Sequence, residues 1–236
     1  MIVPVLMYHS ITNDNSNLSV SPELFDQQIK YLNHSGYKSI KFNQLTENNK
    51  KPIIITFDDG YKDNLINALP ILKKYNFTST CFVVSDYIGK FNKWDLSHKK
   101  FMRKELLNKN DILEWIKYGM DIGSHGKTHK SLTKLLKNEI NDEISNSKDY
   151  IQNLLGYPVE TFSYPFGHTN KLSVEIVRNF YKYAVTTIRS RYNTKKHYNF
   201  YIPRIHMSNN LSKFKLFFKL KTIYEDIKYN EKQLYM

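Results

Sequence analysis

Residues 52–60 read Pro-Ile-Ile-Ile-Thr-Phe-Asp-Asp-Gly, an apolar run that ends in two carboxylates and a glycine. Residues 53–57 are continuous, β-branched and aromatic, which predicts a strand buried on both faces of a parallel sheet. Gly60 ends this strand with a residue that is free to turn. The pattern therefore places Asp58 and Asp59 at the carboxyl end of a strand, where the chemistry of α/β folds collects.

Two adjacent carboxylates repel each other unless a metal ion, a shared proton or a strong hydrogen-bond donor stabilises their charge. A candidate metal partner follows at residues 124–129, Ser-His-Gly-Lys-Thr-His, in which His125 and His129 stand four residues apart. Two imidazoles and one carboxylate form a three-ligand site with a position open to water, as in hydrolytic zinc sites. The histidine spacing alone is weak evidence, and the aspartate pair strengthens it.

A third stretch, residues 161–167, reads Thr-Phe-Ser-Tyr-Pro-Phe-Gly and again predicts a strand that ends in a proline and glycine turn. Backbone amides exposed at that turn are candidates for stabilising an oxyanion. Taken alone, this stretch is more simply a strand with a tight turn. Three such strand ends in one chain predict an active site at the mouth of a sheet.

These stretches, at residues 56–60, 124–129 and 162–167, resemble the successive motifs of the NodB-like polysaccharide deacetylases. The resemblance covers about the first 207 residues, which is most of the chain. It implies the fold of that family, a distorted (β/α)7 barrel that is one unit short of the usual eight. The alternation of predicted strands and helices along the chain is consistent with such a parallel α/β architecture.

The resemblance also implies a role for each residue of the three motifs. Asp58 would be the general base that activates water, while Asp59, His125 and His129 would bind a divalent metal, most often Zn²⁺. The backbone amide of Phe166 would hold the oxyanion that develops during the reaction.

Two histidines are candidates for the general acid that protonates the leaving amine. Residues 3–11 are similar to the first strand of the subgroup that includes bacterial poly-N-acetylglucosamine deacetylases, and the acid histidine of that subgroup corresponds to His9. His206 is the rival, because a better-known branch of the family draws its acid histidine from a late strand. A histidine that only caps its strand is the plain alternative for His9, and the sequence leaves these readings open.

Arg204 matches an arginine common in late strands of the same subgroup. A bidentate guanidinium pair from Arg204 would hold Asp58 ionised and oriented, whereas an exposed arginine is the plain alternative. The chitin and peptidoglycan branch of the family begins its third motif with an arginine, and this chain has Ser163 there instead. The partner of Asp58 is therefore open at the level of sequence.

These roles predict a metal-dependent hydrolase that removes N-acetyl groups from the sugars of a bacterial-type glycan or glycan precursor. The bond broken is an amide C–N bond, and no covalent enzyme intermediate is required. Cys81 lies in a buried-strand pattern typical of a core residue, so it is not a candidate nucleophile. Two alternatives use the same scaffold: an amidohydrolase of a small non-sugar amide, and a catalytically silent glycan-binding protein.

The 236 residues are compatible with a single catalytic domain over residues 1–236. The formal net charge of +13 and the 18 tyrosines also suit a nucleic-acid-binding surface. Against that reading, the lysines are dispersed among asparagines and no nucleic-acid motif is present, so we expect no nucleic-acid partner. A single cysteine excludes an intramolecular disulfide framework.

The first residues lack a basic leader and a small-residue cleavage site, and no apolar run is long enough to cross a bilayer. We therefore expect a protein that is cytoplasmic or peripheral at the membrane. Residues 211–236 mix aromatic and aliphatic residues with lysines, which predicts a basic amphipathic helix. Residues 211–229 would either contact an anionic membrane or close the barrel with their lysines facing water, and closure is favoured.

Between these motifs the sequence predicts helices near residues 22–36, 63–75, 111–118, 131–155 and 172–179, and short strands near 39–42, 78–84, 161, 184 and 202. Residues 85–110 break the pattern and predict a surface excursion whose Trp94 is either a substrate platform or an ordinary packing residue. Arg189 and Arg191 are candidates for contacting a phosphate-bearing substrate.

Overall fold

The computed structural model of the protein describes residues 1–14, 16–45, 48–97, 101–211 and 213–229. Within these residues the strands are β1 (Ile2–Val3), β2 (Val5–Tyr8), β3 (Ser10–Ile11), β4 (Ser19–Val20), β5 (Lys38–Ser39), β6 (Pro52–Phe57), β7 (Thr80–Val83), β8 (Asp121–Ser124), β9 (Thr161–Ser163), β10 (Tyr183–Val185), β11 (Tyr192–Asn193) and β12 (Ile205–His206). The α-helices are α1 (Pro22–His34), α2 (Leu69–Lys74), α3 (Lys109–Lys117), α4 (Lys137–Leu155), α5 (Lys171–Phe180) and α6 (Lys213–Lys221).

The central sheet is parallel and follows the order β10-β9-β8-β7-β6-β2-β12, with β5 paired to β6 beside this path. Its two ends meet, because Ile202, just before β12, bridges in parallel to Val185 of β10. The N–H of Ile202 donates to the carbonyl of Ala184 at 3.0 Å, and the N–H of Thr186 donates to the carbonyl of Ile202 at 2.9 Å. The described strands of this path therefore close into the distorted (β/α)7 barrel, and the predicted fold class is confirmed.

Strand β6 is buried along its whole length, as its apolar sequence predicts. Ile53, Ile55 and Phe57 join the large core that the helices cover. Ile54 belongs instead to a smaller cluster of residues from other strands, which fills the barrel interior. Because side chains alternate across a strand, Thr56 and then Asp58 continue on the inner side. The strand therefore aims Asp58 into the barrel mouth.

The helical segment predicted at residues 63–75 is present, although it is not a single α-helix. Residues Asn64–Ala68 form a π-helix, and α2 follows with Pro70 at its start. Proline has no N–H to donate to the preceding turn, and the wider π turn accommodates the missing hydrogen bond.

Two other predicted boundaries differ from the structure. Helix α4 begins at Lys137 rather than at Ser131, because Leu132–Lys134 form a separate 3₁₀ turn and the Glu139 side chain accepts the N–H of Leu136 at the start of the helix. The strand predicted at residues 39–42 covers only Lys38–Ser39. The chain then turns through a 3₁₀ segment that buries Phe42 in the inner cluster.

The C-terminal helix is shorter than the predicted span of residues 211–236. Helix α6 ends at Lys221, a 3₁₀ turn follows at Asp226–Lys228, and residues 230–236 lie outside the described part of the chain. The helix ends early because Glu225 and Asp226 fold back to form ion pairs with two arginines after β10. Within the described residues, no helix combines the length and apolar character needed to cross a bilayer.

Candidate active site

The site begins where β6 ends, at two aspartates that point to different partners. Asp58 continues the inner side of the strand, whereas Asp59 has a φ of 73° and Gly60 a φ of 72°. A left-handed conformation is costly for a residue with a Cβ, and such strain is found where the surroundings hold a functional side chain in place. This turn separates the two carboxylates, so each has its own set of contacts.

Asp58 is held by Arg204, which lies just before β12 and is completely buried. Arg204 Nη1 donates to Asp58 Oδ1 at 2.8 Å, and Nη2 donates to Oδ2 at 2.7 Å. Burial opposes ionisation of Asp58, but the charge and hydrogen bonds of Arg204 outweigh it and lower the pKa of the carboxyl. The structure thus contains the bidentate pair considered from the sequence, and the alternative of an exposed arginine is wrong.

Arg204 is itself fixed by hydrogen bonds on the inside of the barrel. Its Nε donates to the carbonyl of Thr186 at 2.8 Å, and Nη1 also contacts the hydroxyl of Thr56 at 3.1 Å. Nη2 lies 3.2 Å from the hydroxyl of Ser163, the residue that stands where the other branch of the family has arginine. The segment just before β12 therefore supplies the guanidinium, and the small Ser163 leaves room for it.

Asp59, His125 and His129 form the second cluster, and all three are buried. Asp59 Oδ1 lies 3.4 Å from His125 Nε2 and 3.2 Å from His129 Nε2. Nδ1 of His125 bonds to the carbonyl of Ser163 at 2.7 Å, which directs Nε2 toward Asp59. The ligand atoms of the three residues lie within 4.8 Å of one another, close enough to hold one metal ion.

Electrostatics couple these three side chains. Burial opposes the charge on Asp59, but the hydrogen bonds from His125 and His129 outweigh it and hold its pKa well below the ordinary value. Burial lowers the pKa of His125, yet the hydrogen bond to Asp59 and the two aspartate charges raise it overall. The cluster thus attracts positive charge, and a metal cation would replace the imidazole protons.

The loop that carries His129 is attached to α4 by one buried carboxylate. Glu143 Oε2 accepts the N–H groups of Lys127 at 3.0 Å and Thr128 at 2.8 Å, and Oε1 accepts the Thr128 hydroxyl. His129 follows directly, with a φ of 60°. Sequence reasoning missed Glu143, although a signal was present: it lies in the otherwise apolar or small buried face of α4, with Ile140, Ile144, Ser147 and Ile151.

The turn after β9 contributes Phe166. Its φ is 61°, and its ring lies 4.7 Å from the ring of His129. The N–H of Gly167 donates to the carbonyl of Tyr164, and the N–H of His168 donates to that of Pro165. The Phe166 N–H has no acceptor among the described residues. Gly167 is required here, because a Cβ would lie 2.0 Å from the hydroxyl of Thr187.

His9 and His206 stand together on the opposite wall, with ring centroids 6.5 Å apart. Both are half-buried and line the same cavity, and His9 Nε2 lies 4.0 Å from Asp58 Oδ2. Burial lowers the pKa of His9, against the opposing charges of Asp59 and Asp58. Burial, together with the nearby His9 and Lys219, lowers the pKa of His206 to about 4.

A cavity of about 310 Å³ joins these groups. It is lined by each of the predicted site residues except Arg204, which lies behind Asp58: His9, Asp58, Asp59, His125, His129, Phe166 and His206. Trp94, half-buried, also lines it and stacks on His129 with centroids 4.6 Å apart. Trp94 therefore packs against a neighbouring ring and also forms part of the pocket wall, where a substrate platform would lie.

Arg189 and Arg191 do not face the cavity. Arg189 makes a bidentate pair with Glu225, at 2.9 and 2.8 Å, and Arg191 pairs with Asp226. The structure gives no support to the expectation that they contact a phosphate-bearing substrate, because their guanidinium groups are already paired with these two carboxylates.

Comparison with known proteins gives consistent results. The sequence model of the family described as polysaccharide deacetylase matches residues 46–185, more than half of the chain. The YxkH protein of Bacillus subtilis is 32% identical over 193 residues, which cover 78% of this chain and 64% of YxkH. The chain therefore spans just under two thirds of that relative.

A second relative carries a more specific name. The poly-beta-1,6-N-acetyl-D-glucosamine N-deacetylase of Staphylococcus aureus is 26% identical over 215 residues, covering 87% of this chain and 73% of that protein. Among solved structures, the deacetylase PplD of Streptococcus pyogenes in complex with acetate superposes with a TM-score of 0.82 at 27% identity. This match covers 94% of this chain and 99% of PplD.

Proposed function

Since the chain belongs to the polysaccharide deacetylase family, we propose that it hydrolyses the N-acetyl groups of an N-acetylated glycan or glycan precursor. The observation that carries this proposal is the pairing of two separately stabilised carboxylates in one pocket. Arg204 keeps Asp58 ionised, and two histidines surround Asp59. The names of the S. aureus and S. pyogenes relatives support the same reaction.

We infer that one catalytic domain accounts for the chain, because the late strand β12 closes the barrel on β2.

The residues present fit a divalent metal. Two imidazole nitrogens and one carboxylate oxygen are the donors that Zn²⁺ and its neighbours in the first row prefer, and they converge in a buried pocket. His125 is oriented by its bond to the Ser163 carbonyl, as metal-ligating histidines usually are. Asp59, His125 and His129 would hold the ion. A divalent cation bound there would polarise the acetyl carbonyl and lower the pKa of a water molecule.

Asp58 is assigned as the general base. Its carboxylate stays ionised because of Arg204, so it can accept a proton from the attacking water. The N–H of Phe166, turned by its left-handed backbone and without a described acceptor, is assigned to the oxyanion that forms on the acetyl group.

His9 is assigned as the general acid in preference to His206. Burial keeps His9 neutral at neutral pH, so it must gain a proton before it can give one. The 4.0 Å separation between His9 Nε2 and Asp58 Oδ2 gives the proton from water a short route to His9 and then to the leaving nitrogen. The products are a free amine and acetate. His206 lines the same cavity and is assigned to substrate contact.

The shape of the site supports a glycan longer than one sugar. A second cavity of about 410 Å³ shares His206 with the catalytic pocket and is otherwise lined by small polar residues: Asp14, Ser16, Asn17, Ser208, Asn209 and Asn210. Hydroxyl and amide groups of this kind match the hydroxyl and acetamido groups of a neighbouring sugar. A small non-sugar amide would leave this second cavity unused, which makes the alternative amidohydrolase function the weaker proposal.

The test is acetate release from N-acetylglucosamine oligomers and from lipid-linked and nucleotide-linked N-acetyl sugars. Metal-loaded wild type is compared with Asp58→Asn, with chelator-treated protein and with Asp86→Asn, a matched change at an exposed aspartate. We expect release from wild type and Asp86→Asn only. Absence of release from every sugar, in protein that binds metal, would contradict the proposal and favour the small-amide hydrolase.

A further inference from the structure

The C-terminal element presents an unusual exposed surface. Helix α6 and the turn after it leave six large apolar side chains in solvent, which we call the C-terminal apolar face: Phe214, Phe217, Phe218, Ile223, Tyr224 and Ile227. Phe214 is 71% exposed and Ile227 is 72% exposed. The Phe218 ring centroid lies 4.8 Å from that of Phe214 and 5.7 Å from that of Phe217, so the three rings form one exposed patch. Single exposed apolar residues are ordinary, but such a patch, followed closely by three more exposed apolar side chains, marks an interaction surface.

This face is held outward by a well-packed element. On the other side of α6, Leu216 and Leu220 are buried in the main core. Beyond the helix, Glu225 is fixed by Arg189 at 2.8 Å and by Lys219 at 3.1 Å. The apolar side chains therefore cannot turn inward without breaking the packing and the ion pairs that anchor the element.

The charge around the face is positive. Lys215, Lys221 and Lys228 are exposed on the same element, and Lys228 Nζ lies 4.9 Å from the ring centroid of Tyr224. The two carboxylates of the element, Glu225 and Asp226, are neutralised by the arginines after β10. Aromatic and aliphatic groups flanked by lysines suit binding to a layer whose interior is apolar and whose outer groups are anionic. The protein as a whole carries +13, which attracts it to such a surface.

The face also lies beside the catalytic mouth. Lys219 Nζ donates to the carbonyl of His206 at 2.9 Å, and His206 lines the catalytic cavity. Arg189, which anchors the element through Glu225, follows two residues after Thr187 on the cavity wall. Anything that docks on the C-terminal apolar face is therefore brought close to the opening of the site.

We propose that the C-terminal apolar face docks the protein on the surface of an anionic lipid bilayer. The phenylalanine and isoleucine side chains enter the interfacial layer, and the lysines contact the anionic headgroups. The protein lies on the membrane through this face, with the mouth of its catalytic pocket near the headgroups. This binding does not depend on the proposed reaction and holds whether or not the substrate is lipid-linked.

The test is co-sedimentation of the full chain with phosphatidylcholine vesicles, with and without phosphatidylglycerol, at low and high salt. We expect binding to the anionic vesicles that weakens at high salt. The triple variant Phe214→Ser/Phe217→Ser/Ile227→Ser should bind at least tenfold less, on the order of the loss of three interfacial side chains. Lys215→Gln/Lys228→Gln should lose about fivefold per lysine. Leu136→Ser, at a residue 71% exposed elsewhere, is the matched control and should bind as wild type.

Circular dichroism, together with acetate release from a soluble oligomer, checks that each variant is folded. Equal sedimentation with neutral and anionic vesicles, or unchanged binding of the triple serine variant, would overturn the proposal. So would a wild-type dimer in solution that the triple variant converts to monomer, because a second copy of the chain would then cover the face.

Discussion

Arg204 is the residue on which the chemistry of Asp58 depends. It is completely buried; its Nε donates to the carbonyl of Thr186, and its two Nη atoms donate to the two carboxylate oxygens of Asp58. A buried guanidinium is stable only when its hydrogen bonds are satisfied, so Arg204 and Asp58 form one unit rather than two separate residues.

Replacing Arg204 by lysine should keep the positive charge and lose the bidentate geometry. We expect kcat/KM to fall roughly 10- to 100-fold, as for other groups that orient a catalytic residue. The pKa of Asp58 should rise as its partner weakens, so the acid limb of the pH profile of kcat/KM should move to higher pH. A profile with a lower plateau but an unmoved acid limb would contradict this account.

Glu143 is expected to position the metal ligands through the loop of residues 126–129. In Glu143→Gln, one acceptor oxygen becomes an NH₂ donor that faces N–H groups, so the loop and His129 should shift. We expect the affinity for Zn²⁺ to fall roughly tenfold. Calorimetric titration of the metal-free protein measures this change. Glu175→Gln, at an exposed position on α5, is the control and should bind Zn²⁺ as wild type does.

At the scale of elements, sequence patterns predicted where most strands and helices lie but not how the C-terminal element ends. The hydrophobic periodicity of a sequence shows which face of a helix is apolar, but it does not show ion pairs with residues distant in the sequence. Glu225 and Asp226 leave the helical path for Arg189 and Arg191, some 35 residues earlier. For the same reason, the sequence did not show that Arg189 and Arg191 already pair with carboxylates of the chain.

The ion pairs of Glu225 make the attachment of this element sensitive to acid. Burial opposes its charge, but Arg189 and Lys219 outweigh it and lower its pKa below the ordinary value of 4.5. A carboxylate with a lowered pKa in the folded state contributes stability above its unfolded pKa, and this contribution is lost as pH falls through the folded pKa. The anchoring should therefore be complete near neutral pH and weaken below about pH 4.5.

The free energy of unfolding of Glu225→Gln, compared with that of wild type at two pH values, tests this contribution of the Glu225 ion pairs. At pH 7 the variant should be less stable than wild type by about 1–2 kcal/mol, since the Arg189 side of the pair is partly exposed. The difference should shrink as the pH is lowered below about 4.5, where wild type also protonates. Urea unfolding of both proteins gives the two free energies. A difference that stays constant down to pH 3 would count against the ion pairs as its source.

At the scale of the whole molecule, the family resemblance carried by the three motifs predicted the barrel, and the strand ends predicted that Asp58, Asp59, His125, His129 and Phe166 share its mouth. Each motif follows its own strand, and the ends of parallel strands meet at one edge of the sheet. The resemblance proposes Arg204 as the partner of Asp58, but the three motifs leave the pairing open, because Arg204 lies 146 residues away and reaches Asp58 only when the barrel closes. Glu143 was missed for a related reason: a carboxylate inside a buried helical face is visible in the sequence, but the loop it binds is not.

Asp59, His129 and Phe166 share a left-handed backbone, and all three line the same cavity. Each such conformation costs about 1 kcal/mol or more, and glycine would remove that cost at any of them. Glycine at these positions would relax the backbone, but it would also remove the Asp59 carboxylate, the His129 imidazole and the Phe166 ring from the cavity wall. The chain therefore holds backbone strain at three points of one pocket, and a variant made more stable by glycine there would lose the side chains that give the pocket its chemical character.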